Sequence, residues 1–264
     1  MISTSTAAVS GALNQKDRFV LYVVLPAYNE EHNIGGLLDK LNDLLTAGRF
    51  RFQVLVVDDG SGDGTSQILD GYRDRMPLMV DRHTVNQGLG ATIRDGLLHA
   101  VALAADEDII VTMDADETHT PGLILRMVRM IIEGHDVVIA SRFQPGARII
   151  GLSLHRRLIS WLASHLVRVL FPTSGVRDFA CGYRAYRAAV LRQAFGQYGK
   201  SFVSRDGFEC MVDILLKLRR LPVIFGEVPL ILRYDLKANS KMRLFKTSVG
   251  TLGLLLRRRL GVMS

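Results

Sequence analysis

The sequence predicts an α/β protein with a mostly parallel central sheet and helices on both faces. Three observations predict it. Short apolar segments rich in β-branched residues alternate with helical segments through the first half of the chain. Glycine, proline or aspartate follows most of the apolar segments, and no repeat or low-complexity linker interrupts the alternation. At 264 residues, the chain fits one large domain.

The strands and helices of the first half follow a regular order. Apolar segments such as FVLYVVLP and FQVLVVDD predict strands at 19–26, 52–59, 78–82, 108–114 and 136–143. The intervening segments predict helices at 31–45, after the glycine-rich stretch 60–65, at 86–105 and at 121–134.

The second half follows a different pattern. We expect a long basic helix over 146–171, then a loop that leads into a short strand and helix at 176–191. A further helix at 205–221 and one or two strands at 222–235 complete the prediction. The predicted organisation is a disordered tail at 1–17, one domain at 18–242 and a basic amphipathic helix at 243–264.

Charge and cysteine content narrow the functional class. A formal net charge of +7 favours anionic partners such as nucleic acid, an anionic membrane surface or phosphorylated substrates. Cys181 and Cys210 form no CxxC pattern, which disfavours a disulfide framework or zinc site. No apolar stretch approaches the roughly 20 residues of a membrane span, and the N-terminus lacks a signal-peptide pattern. We therefore expect a cytoplasmic protein, soluble or peripheral at a membrane.

Charged side chains follow several of the predicted strands. In an open parallel sheet, ligands bind outside the carboxyl ends of the strands. We expect four adjacent strand ends to bring these residues into one site: Glu30, Asp58, Asp59, Asp114, Asp116 and Arg142.

Two glycine-rich stretches, GSGDGT and NQGLGATI, resemble parts of a dinucleotide-binding motif. Neither contains the full GxGxxG pattern at a strand-to-helix turn, and the chain has no GxxxxGK[ST] sequence. An NAD-dependent enzyme and a P-loop nucleotidase are therefore disfavoured.

Asp114 and Asp116 predict a divalent cation site. In an extended segment, side chains two residues apart project to the same side. Two such carboxylates repel unless a cation or strong donors lie between them, and Mg²⁺ or Mn²⁺ prefers oxygen ligands of this kind. The alternative is that they cap the helix near Pro121, but both stand early for that role.

An ordered set of motifs resembles the inverting family 2 glycosyltransferases, which have the Rossmann-like GT-A fold. In chain order they are PAYNEEHNI, VVDDGSGDGT, NQGLGATIRDGL, DADETHTP and ASRF. The segments HRRLIS, DFACGYRAY and LRYDLKANSKM resemble the branch that transfers sugars to polyprenyl phosphates, including dolichyl-phosphate mannosyltransferases. The resemblance covers residues 21–256.

The resemblance implies a donor site and a metal site. The implied nucleotide-sugar residues are Pro26, Tyr28, Glu30, Asp58, Asp59, Asp114, Ala115, Arg233 and Lys241, with Asp59 bonding the base. The implied ligands of Mg²⁺ or Mn²⁺ are Asp114, Asp116 and Thr118. Thr118 replaces a glutamine of the dolichyl-phosphate enzymes, and Glu117 is an alternative ligand.

Basic residues of the second half suit an acceptor that carries phosphate. Arg156 and Ser160 stand four apart and share a helix face. Together with Arg142, Arg233 and Lys241, they could contact two anionic groups, the donor diphosphate and an acceptor phosphate. The resemblance implies that Arg142, Arg156 and Ser160 hold the acceptor phosphate.

The predicted reaction is inverting transfer of a hexose from a GDP-mannose or UDP-glucose type of donor to a polyprenyl or dolichyl phosphate. A phosphate monoester has its second pKa near 6, so it needs no catalytic base. Two alternatives stay open. A hydroxyl acceptor would need a carboxylate base, for which Asp178 is the candidate, or the chain is a non-catalytic nucleotide-sugar binder.

A lipid acceptor implies contact with a membrane. The basic amphipathic segments 149–171 and 250–263 are consistent with binding to an anionic membrane surface, or with packing on the sheet. We expect a peripheral protein on the cytoplasmic face, with a membrane partner protein or a homodimer and without a nucleic-acid partner.

The seven histidines show no metal-binding spacing, so we expect them to be structural or exposed.

Overall fold

The computed structural model describes residues 18–151 and 154–233, with backbone alone at 154–160, 163 and 233. The predicted tail at 1–17, the predicted C-terminal helix at 243–264 and Lys241 lie outside these residues. No helix in the described part of the chain combines the length and apolar character that crossing a bilayer requires.

A central sheet of seven strands and a small second sheet organise the molecule. The strands are β1 Leu21–Ala27, β2 Phe52–Asp58, β3 Leu78–Arg82, β4 Ile109–Thr112, β5 Val137–Ser141, β6 Arg148–Ile150, β7 Arg184–Arg187, β8 Phe225–Pro229 and β9 Ile231–Arg233. The central sheet has the order β3-β2-β1-β4-β7-β5-β8, and β6 pairs with β9. All neighbouring strands are parallel, except that β7 runs antiparallel to β4 and β5.

Helices connect and cover the strands. They are α1 Ile34–Ala47, α2 Thr65–Tyr72, α3 Leu89–Leu103, α4 Leu123–Ile132, α5 Leu154–Leu170, α6 Ala188–Tyr198 and α7 Cys210–Leu218, with a 3₁₀ turn at Gly199–Phe202. Every residue of β4 and β5 is buried. Because successive side chains of a strand point to opposite faces, both faces of the sheet are covered. The predicted fold class is confirmed.

The strand β7 corrects one prediction. The strand ends that carry the charged residues are not all adjacent, because β7 lies between β4 and β5. Thr112 of β4 and Ile139 of β5 flank the same residue of β7, Arg184. Since β7 is antiparallel, its first residue lies at the edge where β4 and β5 end. The segment before β7 therefore enters the site.

The predicted long helix begins later than expected. Residues 148–150 form β6, which pairs with β9 through Ile150 and Arg233, and the helix starts at Leu154. Gly146 and Gly151 bracket the strand with φ values of +91° and +82°. Such angles suit glycine and interrupt a helix.

The glycines of NQGLGATI serve packing between the two halves of the chain. Gly88 has φ +90°, and the Gly90 N–H donates to the carbonyl of Asp206 at 2.9 Å. A Cβ at Gly90 would overlap the carbonyl oxygen of Arg205. The loop before α7 therefore lies directly on the N-terminus of α3, which closes one side of the site described next.

Candidate active site

A cleft of about 440 Å³ opens at the carboxyl ends of the central strands. Its lining contains most of the predicted donor and metal residues: Pro26, Tyr28, Glu30, Asp59, Asp114, Ala115, Asp116 and Thr118. Arg142 lines the same cleft from the end of β5. Residues from four strand ends thus meet in one cavity, as the sequence predicts, although their ligand contacts stay predictions.

Asp58 lies outside this lining. Its carboxylate accepts hydrogen bonds from the Ser61 N–H at 3.1 Å and from the Ser66 hydroxyl. The side chain is buried and fixes the turn from β2 into α2. The sequence placed Asp58 with the nucleotide-binding residues; the structure instead gives it a role in shaping the loop.

Asp59 faces the cleft and is held from behind. Its Oδ1 accepts the Gln87 N–H at 2.8 Å, and its Oδ2 accepts the Gly88 N–H at 2.9 Å. The Nδ1 atom of His83 lies 2.6 Å from Oδ1, and the Nε2 atom of His83 lies 3.2 Å from the Asp95 carboxylate. This chain of contacts fixes the orientation of a carboxylate that reaches the predicted base pocket.

His83 was expected to be merely structural or exposed. It is nearly buried, and it bridges two carboxylates that stand 36 positions apart in the sequence. Arg94 extends the chain by a bidentate contact with Asp95, at 2.8 and 3.1 Å. The contact between His83 and Asp95 could not be predicted from the sequence, because it depends on how α3 packs against β2.

The segment after β4 presents the predicted metal ligands. Thr118 donates its N–H at 3.1 Å and its hydroxyl at 2.6 Å to Oδ1 of Asp116. These bonds orient the Asp116 carboxylate and leave the oxygen lone pairs of Thr118 available. The Asp114 N–H donates to Nδ1 of His119 at 3.2 Å, which ties the start of this segment to the buried imidazole.

Glu117, the alternative ligand, lies outside the cleft lining. It has φ +57°, and its carboxylate lies 2.6 Å from Nζ of Lys40 on α1, away from the cleft lining. His119, by contrast, is buried and lines the cleft, with its ring centroid 5.0 Å from that of Tyr183. Sequence reasoning did not predict a place for His119 in the cleft, because the left-handed turn at Glu117 sets its direction.

The carboxylates of the cleft suit an Mg²⁺ or Mn²⁺ ion whose remaining ligands are water and substrate phosphates. Within the described ranges, no three histidine, cysteine, aspartate or glutamate side chains are arranged to hold a metal by themselves. Asp114 and Asp116 nevertheless offer two carboxylates in the cleft. Mg²⁺ in phosphate-handling sites usually takes one or two carboxylates and completes its shell with water and substrate phosphates.

Arg142 is fixed by a buried carboxylate. Its Nε and Nη2 atoms donate to Asp178 at 2.7 and 2.8 Å, and its backbone N–H donates to the same carboxylate at 3.0 Å. Burial alone would raise the pKa of Asp178. The Arg142 charge and the hydrogen bonds from Arg142 and the Ala180 N–H outweigh burial and hold that pKa below its usual value.

Asp178 was the predicted base for a hydroxyl acceptor, and its geometry contradicts that role. Its side chain is 0% exposed, and both carboxylate oxygens accept hydrogen bonds, from Arg142, Ala180 and Cys181. A group that cannot reach the substrate cannot remove its proton. Asp178 is a positioning residue for Arg142.

Glu227 of β8 supports this pair from below. Its Oε1 accepts the Arg177 and Asp178 N–H groups at 2.6 and 2.7 Å. Burial raises the pKa of Glu227 against the effect of these hydrogen bonds, and the nearby Asp178 charge adds to the rise. The order of contacts is therefore Glu227, the Asp178 backbone, the Asp178 carboxylate and Arg142.

The thiol of Cys181 also lines the cleft. Burial raises the pKa of Cys181 to about 12, and the charge of Asp178 acts in the same direction. The thiol is therefore protonated at neutral pH, and it contributes an apolar wall and no nucleophile.

The remaining predicted residues are less fully described. Arg156 and Ser160 lie on α5, and Arg233 ends β9, each with backbone alone. Lys241 lies beyond the described residues. Pairing of β6 with β9 places Arg233 beside Ile150, and its neighbour Leu232 lines the cleft. The phosphate-binding roles of these four residues stay predictions.

The fold and cleft are those of a glycosyltransferase, with carboxylates and an arginine in one cleft at the carboxyl edge of a mostly parallel sheet. The chain belongs to glycosyl transferase family 2, whose family model matches residues 22–195. It is a hexosyltransferase with the GT-A fold.

Curated relatives share about a third of their residues with this chain. An undecaprenyl-phosphate mannosyltransferase of Micrococcus luteus is 32% identical over 78% of this chain and 81% of its own length. A polyprenol monophosphomannose synthase of Mycolicibacterium smegmatis is 30% identical, with 79% and 75% covered. A dolichol-phosphate mannosyltransferase of Pyrococcus furiosus is 28% identical over 84% of this chain, which spans 58% of that protein.

Solved structures agree on the fold. Glucosyl-3-phosphoglycerate synthase of Mycobacterium tuberculosis, in complex with Mn²⁺, UDP and glucosyl-3-phosphoglycerate, superposes with a TM-score of 0.66 at 22% identity. The match covers 95% of this chain and 83% of that one. A complex of the same enzyme with Mg²⁺ and UDP also gives a TM-score of 0.66, at 20% identity.

Proposed function

We propose that this chain transfers a hexose from a nucleotide sugar to a polyprenyl phosphate, with inversion at the anomeric carbon. The observation that carries the proposal is that Arg142 and several apolar side chains line the same cleft. Phe208, Met211, Leu230 and Leu232 line it together with Arg142. A fixed guanidinium beside an apolar wall suits an acceptor that has a phosphate head and a hydrocarbon chain.

The sheet order supports a division of the cleft into a donor half and an acceptor half. Glu30, Asp59, Asp114 and Asp116 follow β1, β2 and β4, whereas Arg142 follows β5, Leu230 precedes β9 and Leu232 lies within it. Among the described residues that line the cleft, the acceptor half contains no carboxylate. A hydroxyl acceptor would lack a base there, whereas a phosphate acceptor arrives deprotonated.

The reaction is a single displacement. An oxygen of the acceptor phosphate forms a bond to the anomeric carbon while the bond from that carbon to the donor diphosphate breaks. The leaving group is the nucleoside diphosphate, and the configuration inverts. Arg142 holds the nucleophilic phosphate in line, and its pairing with Asp178 lets it do so without reorganisation.

A bound Mg²⁺ or Mn²⁺ would neutralise charge on the departing diphosphate. Asp114 and Asp116 would hold it, with the Thr118 hydroxyl as a third oxygen. Asp59 would accept hydrogen bonds from the base, in the orientation that His83 and the Gly88 N–H impose. Tyr28, which is partly exposed in the cleft, is placed to contact the nucleoside.

The names of the relatives support the same acceptor class. The Micrococcus, Mycolicibacterium and Pyrococcus proteins are named for mannose transfer to undecaprenyl phosphate, a polyprenol phosphate and dolichol phosphate. We extend that acceptor class, and contact with the cytoplasmic membrane surface, to this chain. The proposed donor is of the GDP-mannose or UDP-glucose type, and a membrane partner or homodimer stays a prediction.

The test is direct transfer by purified protein. We expect one nucleotide sugar of a panel to yield a polyprenyl-phosphate sugar in the presence of Mg²⁺ or Mn²⁺. Asp116→Ala should abolish transfer, whereas Asp106→Ala, at an exposed position outside the cleft, should not. The proposal fails if the active protein glycosylates hydroxyl acceptors and leaves polyprenyl phosphates unchanged with every donor.

A further inference from the structure

A second cavity, of about 190 Å³, lies beside helix α5 and outside the catalytic cleft. We call it the α5 pocket; its lining residues are Phe143, Trp161, Ser164, His165, Arg168 and Arg177. Ser164 donates its hydroxyl to the Arg177 carbonyl at 2.8 Å, which ties the helix to the loop across the pocket. The Trp161 and His165 rings stack with centroids 5.3 Å apart.

The pocket carries positive charge without a described counter-charge. Arg168 and Arg177 line it, and neither guanidinium contacts a carboxylate within residues 18–151 and 154–233. Two guanidiniums around one cavity are a chemistry that binds phosphate.

An apolar stripe runs along the same helix. Leu162, Leu166 and Val169 stand at i, i+4 and i+7, and Val169 is 64% exposed. Trp161, His165 and Arg168, which line the α5 pocket, have the same spacing one residue earlier. They form a second stripe, the pocket stripe, which lies beside the apolar stripe on the helix surface. The buried Val167 lies on another face and anchors the helix to the core.

We propose that the α5 pocket binds the phosphate headgroup of an anionic phospholipid while the apolar stripe enters the bilayer surface. A free phosphate would use the arginines and leave three aliphatic side chains and half of an indole in water. A phospholipid bilayer satisfies both stripes, and tryptophan favours the interface between headgroups and acyl chains. The proposal rests on the proposed function, since a lipid acceptor requires this surface to meet a membrane.

The pocket is positioned to orient the catalytic cleft. Phe143 lines the α5 pocket, the preceding residue Arg142 lines the cleft, and the Arg142 guanidinium lies 5.5 Å from the Phe143 ring centroid. A headgroup held in the α5 pocket would therefore place the acceptor half of the cleft next to the bilayer.

Trp161 provides the measurement, because it is the single tryptophan of the chain. Full-length protein is titrated with vesicles of phosphatidylcholine, with or without phosphatidylglycerol. We expect a blue shift of Trp161 emission and vesicle co-sedimentation that depend on phosphatidylglycerol. Arg168→Ala/Arg177→Ala should lower the affinity roughly 30-fold, from the usual contribution of a basic residue near an anionic surface.

Control variants separate the effect of the α5 pocket on binding from the effects of net charge and of unfolding. Arg126→Ala/Lys200→Ala removes the same charge from exposed positions elsewhere and should bind nearly as tightly as wild type. Arg168→Lys/Arg177→Lys should restore much of the binding, and Leu166→Ser/Val169→Ser should remove the blue shift. Thermal unfolding of each variant confirms that it is folded.

The outcomes distinguish this inference from the proposed function. Equal binding to both vesicle types, or equal losses in the arginine variant and its charge-matched control, would overturn the inference. Phosphatidylglycerol-dependent binding by a protein that never glycosylates polyprenyl phosphate would support the inference and refute the proposed function. A short-chain polyprenyl phosphate in detergent should be glycosylated at an unchanged rate by Arg168→Ala/Arg177→Ala.

Discussion

Arg142 and Asp178 form a bidentate ion pair, at 2.7 and 2.8 Å, in which the carboxylate is fully buried and the guanidinium reaches the catalytic cleft. The pair converts a flexible side chain into a fixed donor. It also removes from reaction the carboxylate that the sequence suggested as a base. The arginine contacts the substrate in this account, and the aspartate positions it.

Asp178→Asn tests that division of roles. Removing one partner leaves the other charge buried without compensation, which typically costs about 3–5 kcal/mol of stability. We expect a lower Tm and, at a temperature where the variant is folded, a large rise in KM for the acceptor with a smaller change for the donor. Steady-state kinetics and thermal unfolding measure both.

Asp106→Asn, at an exposed ion pair with Arg192, is the matched control and should leave both quantities near wild type. If Asp178→Asn lost all turnover while the acceptor affinity and Tm stayed unchanged, Asp178 would be a base after all.

The contribution of Glu227 to the free energy of unfolding should depend on pH in the opposite direction to that of Asp178, and Glu227→Gln tests this. Because the folded-state pKa of Glu227 is raised, its contribution to stability falls as pH rises above the unfolded value of about 4.3. We therefore expect the free energy of unfolding of Glu227→Gln, relative to wild type, to increase from pH 4 towards neutrality. Urea unfolding at several pH values measures it.

For Asp178, the contribution to stability changes with pH in the reverse direction. Its lowered pKa means that its stabilisation is present above about 3.9 and is lost as pH falls through the folded-state pKa. The stability difference between wild type and Asp178→Asn should shrink in acid. A difference that grew in acid would contradict the assigned directions.

Thr118→Val tests the metal site at its departure from the glutamine of related enzymes. The substitution removes the hydroxyl that donates to Asp116 at 2.6 Å. Loss of such a supporting contact typically lowers metal affinity roughly 10- to 100-fold. Calorimetric titration with Mn²⁺ in the presence of the nucleoside diphosphate measures the change.

Glu117→Gln is the neighbouring control, because it removes the charge that pairs with Lys40 and leaves Thr118 and Asp116 intact. It should bind Mn²⁺ nearly as wild type does. Equal losses in the two variants would place Glu117 in the metal shell and refute the geometry described here.

His83→Gln tests the contacts that fix Asp59. A hydrogen bond to a charged group is worth about 1.5–3 kcal/mol, so we expect a KM for the nucleotide sugar that is roughly 10-fold higher or more. The kcat should change little, because the reacting atoms lie elsewhere. His99→Gln is a matched control on α3, where the His99–Asp81 pair, at 2.7 Å, lies outside the cleft lining. Similar KM values for the two variants would contradict the role of His83.

Local sequence patterns predicted the first half well, because its parallel strands end at one edge and the residue after each strand faces that edge. Asp114 and Asp116 are the best example. The short strand predicted within 176–191 is β7, but its antiparallel place between β4 and β5 was not predicted, because that pairing depends on tertiary contacts.

Burial of charged groups was the other limit. Asp178 resembles a reactive carboxylate in the sequence, and its partner Arg142 stands 36 residues away. His83 and His119 were likewise underestimated, since α3 packing and the turn at Glu117 set their directions. Side-chain direction after a non-helical turn is a property of the folded chain.

The central claim is that the acceptor is a phosphate, held by Arg142 and needing no base. The measurement that tests it most directly compares a polyprenyl phosphate with the matching polyprenol, at one donor and one metal concentration. The account predicts transfer to the phosphate and no detectable glycoside from the alcohol. Equal or faster transfer to the alcohol would contradict it.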